Sequence, residues 1–278
     1  EEGDKLDELL TDSPGVEEIT PEDAVARVPI LRRGPIERAA YEADALDIDV
    51  DRLHQLYLRK VKSGGGQVFC NAAVTGLTRA GGLWRAETRS EAFEAPVVVN
   101  AAGAWADLTA EMAGLAPLGL QPLRRSAAIL PAPPGHSVER WPLTGNASET
   151  YYFKPEAGKL MVSPADETPV DPHDAWPDDM DLAEGLDRFS QAVDYEVTRV
   201  ERSWAGLRTF APDRTLVIGF DPAAEGFFWL AGQGGYGIQT APAAARLAAG
   251  LLLNRAVPGD LTAVGLDPAT LSPARLRR

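Results

Sequence analysis

The sequence holds one cysteine, Cys70, in 278 residues. A single thiol excludes an intrachain disulfide framework and any multi-cysteine zinc or iron–sulfur site. Histidine is nearly as scarce. His54, His136 and His173 lie far apart, with none at i, i+4 spacing, so no metal site is expected. No apolar run approaches the roughly 18 residues that a membrane-crossing helix needs. The longest candidate, around Ala241–Leu253, is too short. Basic residues are outnumbered, 27 Lys and Arg against 41 Asp and Glu, for a net charge of −14. Such a surface repels phosphate backbones and anionic lipid heads, so neither nucleic acid nor membrane is an expected partner. The opening stretch EEGDKLDELL is the reverse of a secretory signal, and a cytoplasmic setting is expected. The chain does not open on Met, which is compatible with processing or with a fragment.

What is present is an ordinary globular composition, 45% hydrophobic and 24% charged. The length suits two domains or one large one, with ample chain to bury a core. Thr20-Pro21-Glu22-Asp23 reads as a helix start, with Thr as N-cap and Pro at the first helical position. A second helix is predicted over Asp49–Lys62, with Leu53, Leu56, Tyr57 and Val61 on one stripe, stopped by Gly64-Gly65-Gly66. Strands are predicted at Gln67–Leu77, Leu83–Thr88 and Glu91–Val99. Cys70 on the first of these reads as a small buried hydrophobe. The β-branched run Val97-Val98-Val99 reads as a strand buried on both faces. A helix over Ala106–Ala113 follows it.

From Pro117 to about Val200 the texture changes to short strands: Ser126–Leu130, Thr150–Lys154, Lys159–Ser163 and Glu196–Ser203. Pro155-Glu156-Ala157-Gly158 reads as a hairpin loop, Asp166–Asp181 as an exposed acidic loop, and Asp181–Val193 as a helix. The end returns to α/β texture, with strands Leu216–Phe220 and Gly226–Ala231 and an Ala-rich helix Gln239–Leu253. The expected class is α/β, α+β in part: a discontinuous α/β portion around a β-rich insert. The alternating acids Asp44, Asp47, Asp49 and Asp51 lack the glycine and closing glutamate of a calcium loop and read as a solvated turn with a helix cap.

Two segments are built to approach a ligand through backbone. VVVNAAGAW runs from a strand through small residues into a helix, and AGQGGYGIQ does the same with four glycines. Small side chains let a ligand near the main chain, and helix N-termini offer free N–H donors to an anion. The glycine loop is neither a P-loop nor a G-x-G-x-x-G fingerprint. Taken alone, each is equally a tight packing turn. Arg124-Arg125, Tyr151-Tyr152 and Trp204–Arg208 add side chains that can fork onto or hydrogen-bond a carboxylate, with only one of each adjacent pair pointing inward.

Together, VVVNAAGAWAD and SWAGLRTFAPDRTLVIGF…GFFWLAGQGGYGIQTAPAAARLA resemble the flavin-dependent D-amino acid oxidase superfamily. Within it the chain is most similar to the bacterial D-arginine dehydrogenases, through ADALDIDVDRLHQLYLR, PLGLQPLRRSA, YYFKPEAGKLMVSPADE and LSPARL. The resemblance implies an FAD-binding Rossmann-like domain, 46–109 and 206–278, and a discontinuous β-rich substrate domain, 1–45 and 110–205. The superfamily's opening strand, G-x-G-x-x-G turn and helix have no counterpart here, so the FAD-binding domain is expected to be incomplete. Carried over by position, Val74, Ala101, Ala102, Gly103, Gly234, Gly235, Tyr236, Gly237, Ile238 and Gln239 would meet FAD. Arg125 and Arg208 would hold the carboxylate of a small-molecule D-amino acid, helped by Tyr152, with the Gly235 carbonyl near its amine. The implied activity is hydride transfer from the D-amino acid to flavin N5, to an electron acceptor that the residues do not name. No side chain is nominated as a catalytic base. The competing expectations are a glycine or sarcosine oxidase-like flavoenzyme, and a fragment that does not bind FAD on its own.

Overall fold

The computed structural model describes residues 2–277. Along the chain come α1 (Glu2–Asp12), β1 (Val16–Ile19), α2 (Pro21–Arg27), β2 (Ala39–Glu42) and α3 (Val50–Ser63). Then follow β3 (Val74–Ala80), β4 (Leu83–Thr88), β5 (Ala92–Ala95), β6 (Val98–Asn100) and α4 (Ala106–Met112). The middle carries β7 (Gln121–Leu130), β8 (Thr144–Gly145), β9 (Tyr152–Glu156), β10 (Lys159–Ser163), β11 (Thr168–Pro169) and α5 (Asp179–Ala192). The end carries β12 (Arg202–Phe210), β13 (Val217–Phe220), β14 (Phe227–Ala231), α6 (Gly237–Leu252) and α7 (Gly259–Ala263). The mixed α/β class expected from the sequence is the one observed.

Local chemistry sets several of these boundaries. The Thr20 hydroxyl accepts the Asp23 amide at 3.1 Å and starts α2, with Pro21 at the first helical position. Asp49 accepts the Arg52 amide at 2.9 Å and starts α3. The β9–β10 hairpin closes through Ala157 (φ 49°) and Gly158 (φ 75°), the two left-handed residues that a two-residue turn matched to strand twist requires.

The chain divides into two compact units. The first contains residues up to Leu46, Leu123–Pro169 and His173–Leu207. Its main sheet has the order β11-β7-β10-β9-β8, with β12 also on β7. One face of that sheet packs with α5 around Phe153, Leu160, Val162, Leu130 and Phe189. The second unit contains Asp47–Pro122, Val170–Pro172 and Arg208 onward. It holds a three-stranded sheet, β13-β14-β6, and the antiparallel meander β3-β4-β5. β14 pairs antiparallel with β13 and parallel with β6, in the register Phe227↔Val98, Phe228↔Val99, Trp229↔Asn100.

Five sequence expectations are corrected. Residues 67–73 are not strand; β3 starts at Val74, after Asn71 turns the chain at φ 58°. Cys70 lies in that connection and is exposed, not buried. Glu91–Val99 is two strands in different sheets, because Pro96 between them has no amide to give a ladder. Val99 is 40% exposed, and among the described residues no strand pairs with the outer edge of β6. The strand buried on both faces is β14: Phe227 and Trp229 join one core cluster and Phe228 the other. The last strand of the insert starts at Arg202, not at Glu196. The apolar stripe of α3 is real, yet none of that helix's residues is buried.

Among the described residues no helix is long and apolar enough to cross a membrane. The second unit is fastened at its end by a buried carboxylate. Asp221 is wholly covered and accepts the Trp229 indole N–H at 2.9 Å, the Ala223 amide at 2.8 Å and the Arg277 guanidinium. Burial alone would raise the Asp221 pKa, but these donors outweigh it and hold it below the ordinary aspartate value. A group depressed on folding contributes stability above its unfolded pKa of about 3.9 and loses it as pH falls through its folded pKa. Asp221→Asn is therefore expected to flatten the loss of unfolding free energy between about pH 5 and pH 2. Asp221→Ala, which leaves Arg277 and Trp229 without their acceptor, should cost about 3 kcal/mol at neutral pH. Urea titrations across that range check both, and an unchanged slope in Asp221→Asn refutes the first.

Candidate functional site

In the second unit the parallel pairing of β6 and β14 brings the carboxyl ends of both strands to one edge of the sheet. That edge is where α/β sheets bind ligands. β6 runs out into Ala101-Ala102-Gly103. Buried Asn100 holds this turn: its Nδ2 donates to the Ala106 carbonyl at 2.8 Å, and its Oδ1 accepts the Ala102 amide at 3.3 Å. Gly103 sits at φ 56°, a left-handed conformation that glycine takes at no cost. Ala101 and Gly103 are exposed.

β14 runs out into the glycine loop and α6. Gly234 is at φ 54°, its amide donates to the Thr209 carbonyl at 2.9 Å, and a Cβ there would meet the Phe210 ring at 2.3 Å. Tyr236, at the N-cap of α6, makes no side-chain cap. The first-turn amides of Gly237, Ile238 and Gln239 therefore keep their donors, at the positive end of a 16-residue helix. Tyr236 is 54% and Ile238 46% exposed beside them. The Arg208 guanidinium packs on the Gly235 backbone, where a Cβ would stand 2.9 Å from Nη1. Val74 opens β3 elsewhere in the same unit and is 39% exposed, before a bulge between it and Gly76.

In the first unit the sheet register decides between adjacent residues that the sequence could not separate. β11 pairs with β7 as Thr168↔Arg124 and Pro169↔Leu123. Arg124 points to the α5 face, where Nη2 meets Asp181 at 2.5 Å and Nε lies 3.5 Å from Asp166. Burial works against its charge, but Asp181, Asp166 and Asp178 raise its pKa above the ordinary value. Asp166 is itself 6% exposed and accepts the Ser126 amide at 2.6 Å and the Ser126 hydroxyl at 2.9 Å, so the expected exposed loop begins with a buried carboxylate.

Arg125 takes the opposite face and donates from Nη2 to Glu167 at 3.1 Å. Its side chain is only 13% exposed, and its Nε is buried with no hydrogen bond among the described residues. The tyrosine pair divides the same way. Tyr151 shares the core side with Phe153, where burial raises its pKa. Tyr152 faces away, opposite Ser163 on β10. The registers Tyr152↔Ser163 and Val162↔Ala128 put Tyr152 and Arg125 on one face of the sheet. Sequence reading singled out neither Asn100 nor Glu167. Their partners are set by a turn and a cross-strand register that no local pattern announces.

Residues 1–251 match the family described as FAD dependent oxidoreductase, DAO. The chain belongs to this family. It is 30% identical over 195 residues, 64% of this chain and 39% of the relative, to FAD-dependent oxidoreductase domain-containing protein 1 of Bos taurus. It is 26% identical over 238 residues, 82% of this chain and 60% of the relative, to the glycine oxidase of Bacillus subtilis. The solved glycine oxidase of Geobacillus kaustophilus has the same fold, with TM-score 0.80 and 22% identity over 96% of this chain and 69% of that one. The chain spans 36% to 50% of the length of the first curated relatives it matches.

The family's cofactor is FAD. The second unit's strand edge fits a dinucleotide in kind: small residues at both strand ends, exposed backbone, and uncapped helix amides for negative charge. The geometry makes Gly234 the least replaceable residue of this edge. Gly234→Ala combines a 2.3 Å approach of the new Cβ to the Phe210 ring with a left-handed φ of 54° and should cost roughly 2–4 kcal/mol. Gly206→Ala, with nothing within 4 Å of the new Cβ, should be nearly silent. Thermal unfolding of the two variants checks the contrast.

Proposed function

We propose that the chain is part of an FAD-dependent enzyme that oxidises the CH–NH2 group of D-amino acids, basic ones such as D-arginine favoured. The observation that carries this reading is Arg208. Its guanidinium lies on Gly235 at the start of α6 and makes no hydrogen bond or ion pair among the described residues. A cation left without a carboxylate, at a backbone edge suited to a cofactor, supports a carboxylate ligand as its partner.

FAD, when bound, supplies the acceptor for a hydride from the substrate Cα. Val74, Ala101, Ala102, Gly103 and Gly234–Gln239 are the residues that would hold it, with the first-turn amides of α6 facing its negative charge. Of the residues suited to a carboxylate, Arg208 belongs to the second unit, and Arg125 with the Tyr152 hydroxyl to the first. The Gly235 carbonyl accepts a hydrogen bond from the amine and orients it. With FAD bound, the Cα–H would leave as hydride and the amine would release its proton to solvent water, and water would hydrolyse the imino acid to a 2-oxo acid and ammonia. The net charge of −14 favours a small-molecule substrate over nucleic acid.

A second reading, glycine oxidation, is favoured by the likeness to the Bacillus subtilis glycine oxidase. The same carboxylate ligands serve it, and the absent side chain of glycine is the difference. The visible absorbance of the purified chain with FAD added, before and after anaerobic D-arginine, tests the proposal. A bound flavin band that bleaches with D-arginine and not with glycine is the expected result. Bleaching by glycine alone selects the second reading, and a colourless protein that ignores FAD overturns both for this chain. Arg208→Ala is expected to weaken D-arginine binding roughly 30- to 700-fold, the loss of about 2–4 kcal/mol from a charge-assisted contact.

A further inference from the structure

We infer that Phe210 is a positioning residue for the cofactor edge, its ring locking the glycine loop that leads into α6. The inference rests on the cofactor role proposed above for Gly234–Gln239 and names what holds those residues in place.

A loop with glycine at 232, 234, 235 and 237 has too much backbone freedom to fix its own shape. The shape has to be imposed by what packs against it. The last three residues of β12 do this, and they belong to the same unit as the loop. The Arg208 guanidinium lies against Gly235, the Thr209 carbonyl accepts the Gly234 amide at 2.9 Å, and the Phe210 ring packs on Gly234. Arg208 and Phe210 are two residues apart on a strand and share a face, while Thr209 reaches the loop through its main chain. Any residue at 209 would supply that carbonyl, and Arg208 is assigned to a carboxylate ligand. Phe210 is the side chain left to set the position of the loop.

Two observations separate Phe210 from ordinary core. It is 4% exposed, yet among the described residues it is the one buried aromatic that joins none of the three core clusters. Its ring is taken up by the loop and by the Arg214 guanidinium, whose Cζ lies 3.9 Å from the ring centroid. The ring also comes nearer to the loop than a side chain at 234 would permit. A Cβ there would stand 2.3 Å from Cε1, 2.7 Å from Cδ1 and 2.9 Å from Cζ of Phe210. Ring and glycine are thus a matched pair. With the loop held, the first-turn amides of α6 stand in one arrangement before a ligand arrives. Without the ring, ordering them is left to the binding step, and affinity falls.

Phe210→Leu and Phe210→Met both remove the ring and keep an apolar side chain. FAD binding to the purified chain is measured by isothermal titration calorimetry, and amide hydrogen exchange of the chain without FAD by mass spectrometry. Both variants should weaken FAD binding about tenfold and speed exchange over Gly234–Gln239 by a similar factor. Leu261→Val, in a core cluster to which no loop residue contributes, is the control: it should lower the melting temperature and move neither readout. Gly234→Ala should lower the melting temperature less in the Phe210→Leu background than in the wild-type chain, because the smaller side chain leaves room for the methyl group. The lock is overturned, and the cofactor edge stands, if the Phe210 variants melt lower but bind FAD and exchange as the wild-type chain does. The same holds if Leu261→Val weakens FAD binding as much, or if Gly234→Ala costs the same in both backgrounds. A wild-type chain that ignores FAD overturns the cofactor reading for this chain, and the role of Phe210 in it.

Discussion

The parallel pairing of β6 with β14 is the constraint on which the candidate cofactor edge depends. Each strand alone ends in a turn of small residues that could serve packing as well as ligand binding. Held side by side in the same direction, both turns open on one edge, and the helix that follows β14 starts there. The pairing is secured from behind by alternation along β14. Phe227, Trp229 and Ala231 enter a cluster with Trp84, Ala106 and Leu118, while Phe228 enters another with Ile218 and Leu247. Burial on both faces leaves β14 no freedom to slip, since a one-residue shift would exchange the two sets. Asn100 and the Thr209 carbonyl then shape the turns themselves, so the backbone donors are fixed before any ligand arrives.

The first unit uses the same period of two for a different end. Arg124 and Arg125 are chemically identical neighbours, yet they have opposite assignments. One is consumed by Asp181 and Asp166 beneath α5, and the other lies with Tyr152 on the far face. The carboxylates obey the same alternation, Asp166 to one arginine and Glu167 to the other. Three short antiparallel pairings, β11 on β7, β10 on β7 and β10 on β9, are enough to sort six polar and aromatic residues.

Much of the scaffold was legible in the sequence. The Thr20 and Asp49 caps, the strand Lys159–Ser163, the Ala157-Gly158 hairpin and the passage from the glycine loop into a long helix all read correctly from local pattern. These features rest on capping, turn chemistry and periodicity, which act over a few residues. The errors share another origin. Val97–Val99 has the composition of a doubly buried strand, but β6 is paired on one edge only and Val99 meets solvent. Cys70 and the α3 stripe are apolar by type and exposed in place, because burial depends on what packs against a residue.

The sequence by itself determined the local elements, the two small-residue turns and the set of arginines and tyrosines available to a carboxylate. The tertiary structure decided which strand lies at the centre of the second unit, and which carboxylates pair with each arginine: Asp181 and Asp166 with Arg124, Glu167 with Arg125. The physical reason is range. Caps and turns are closed by neighbours in the chain, whereas strand pairing and register join segments far apart in sequence and turn a two-residue alternation into a choice of face.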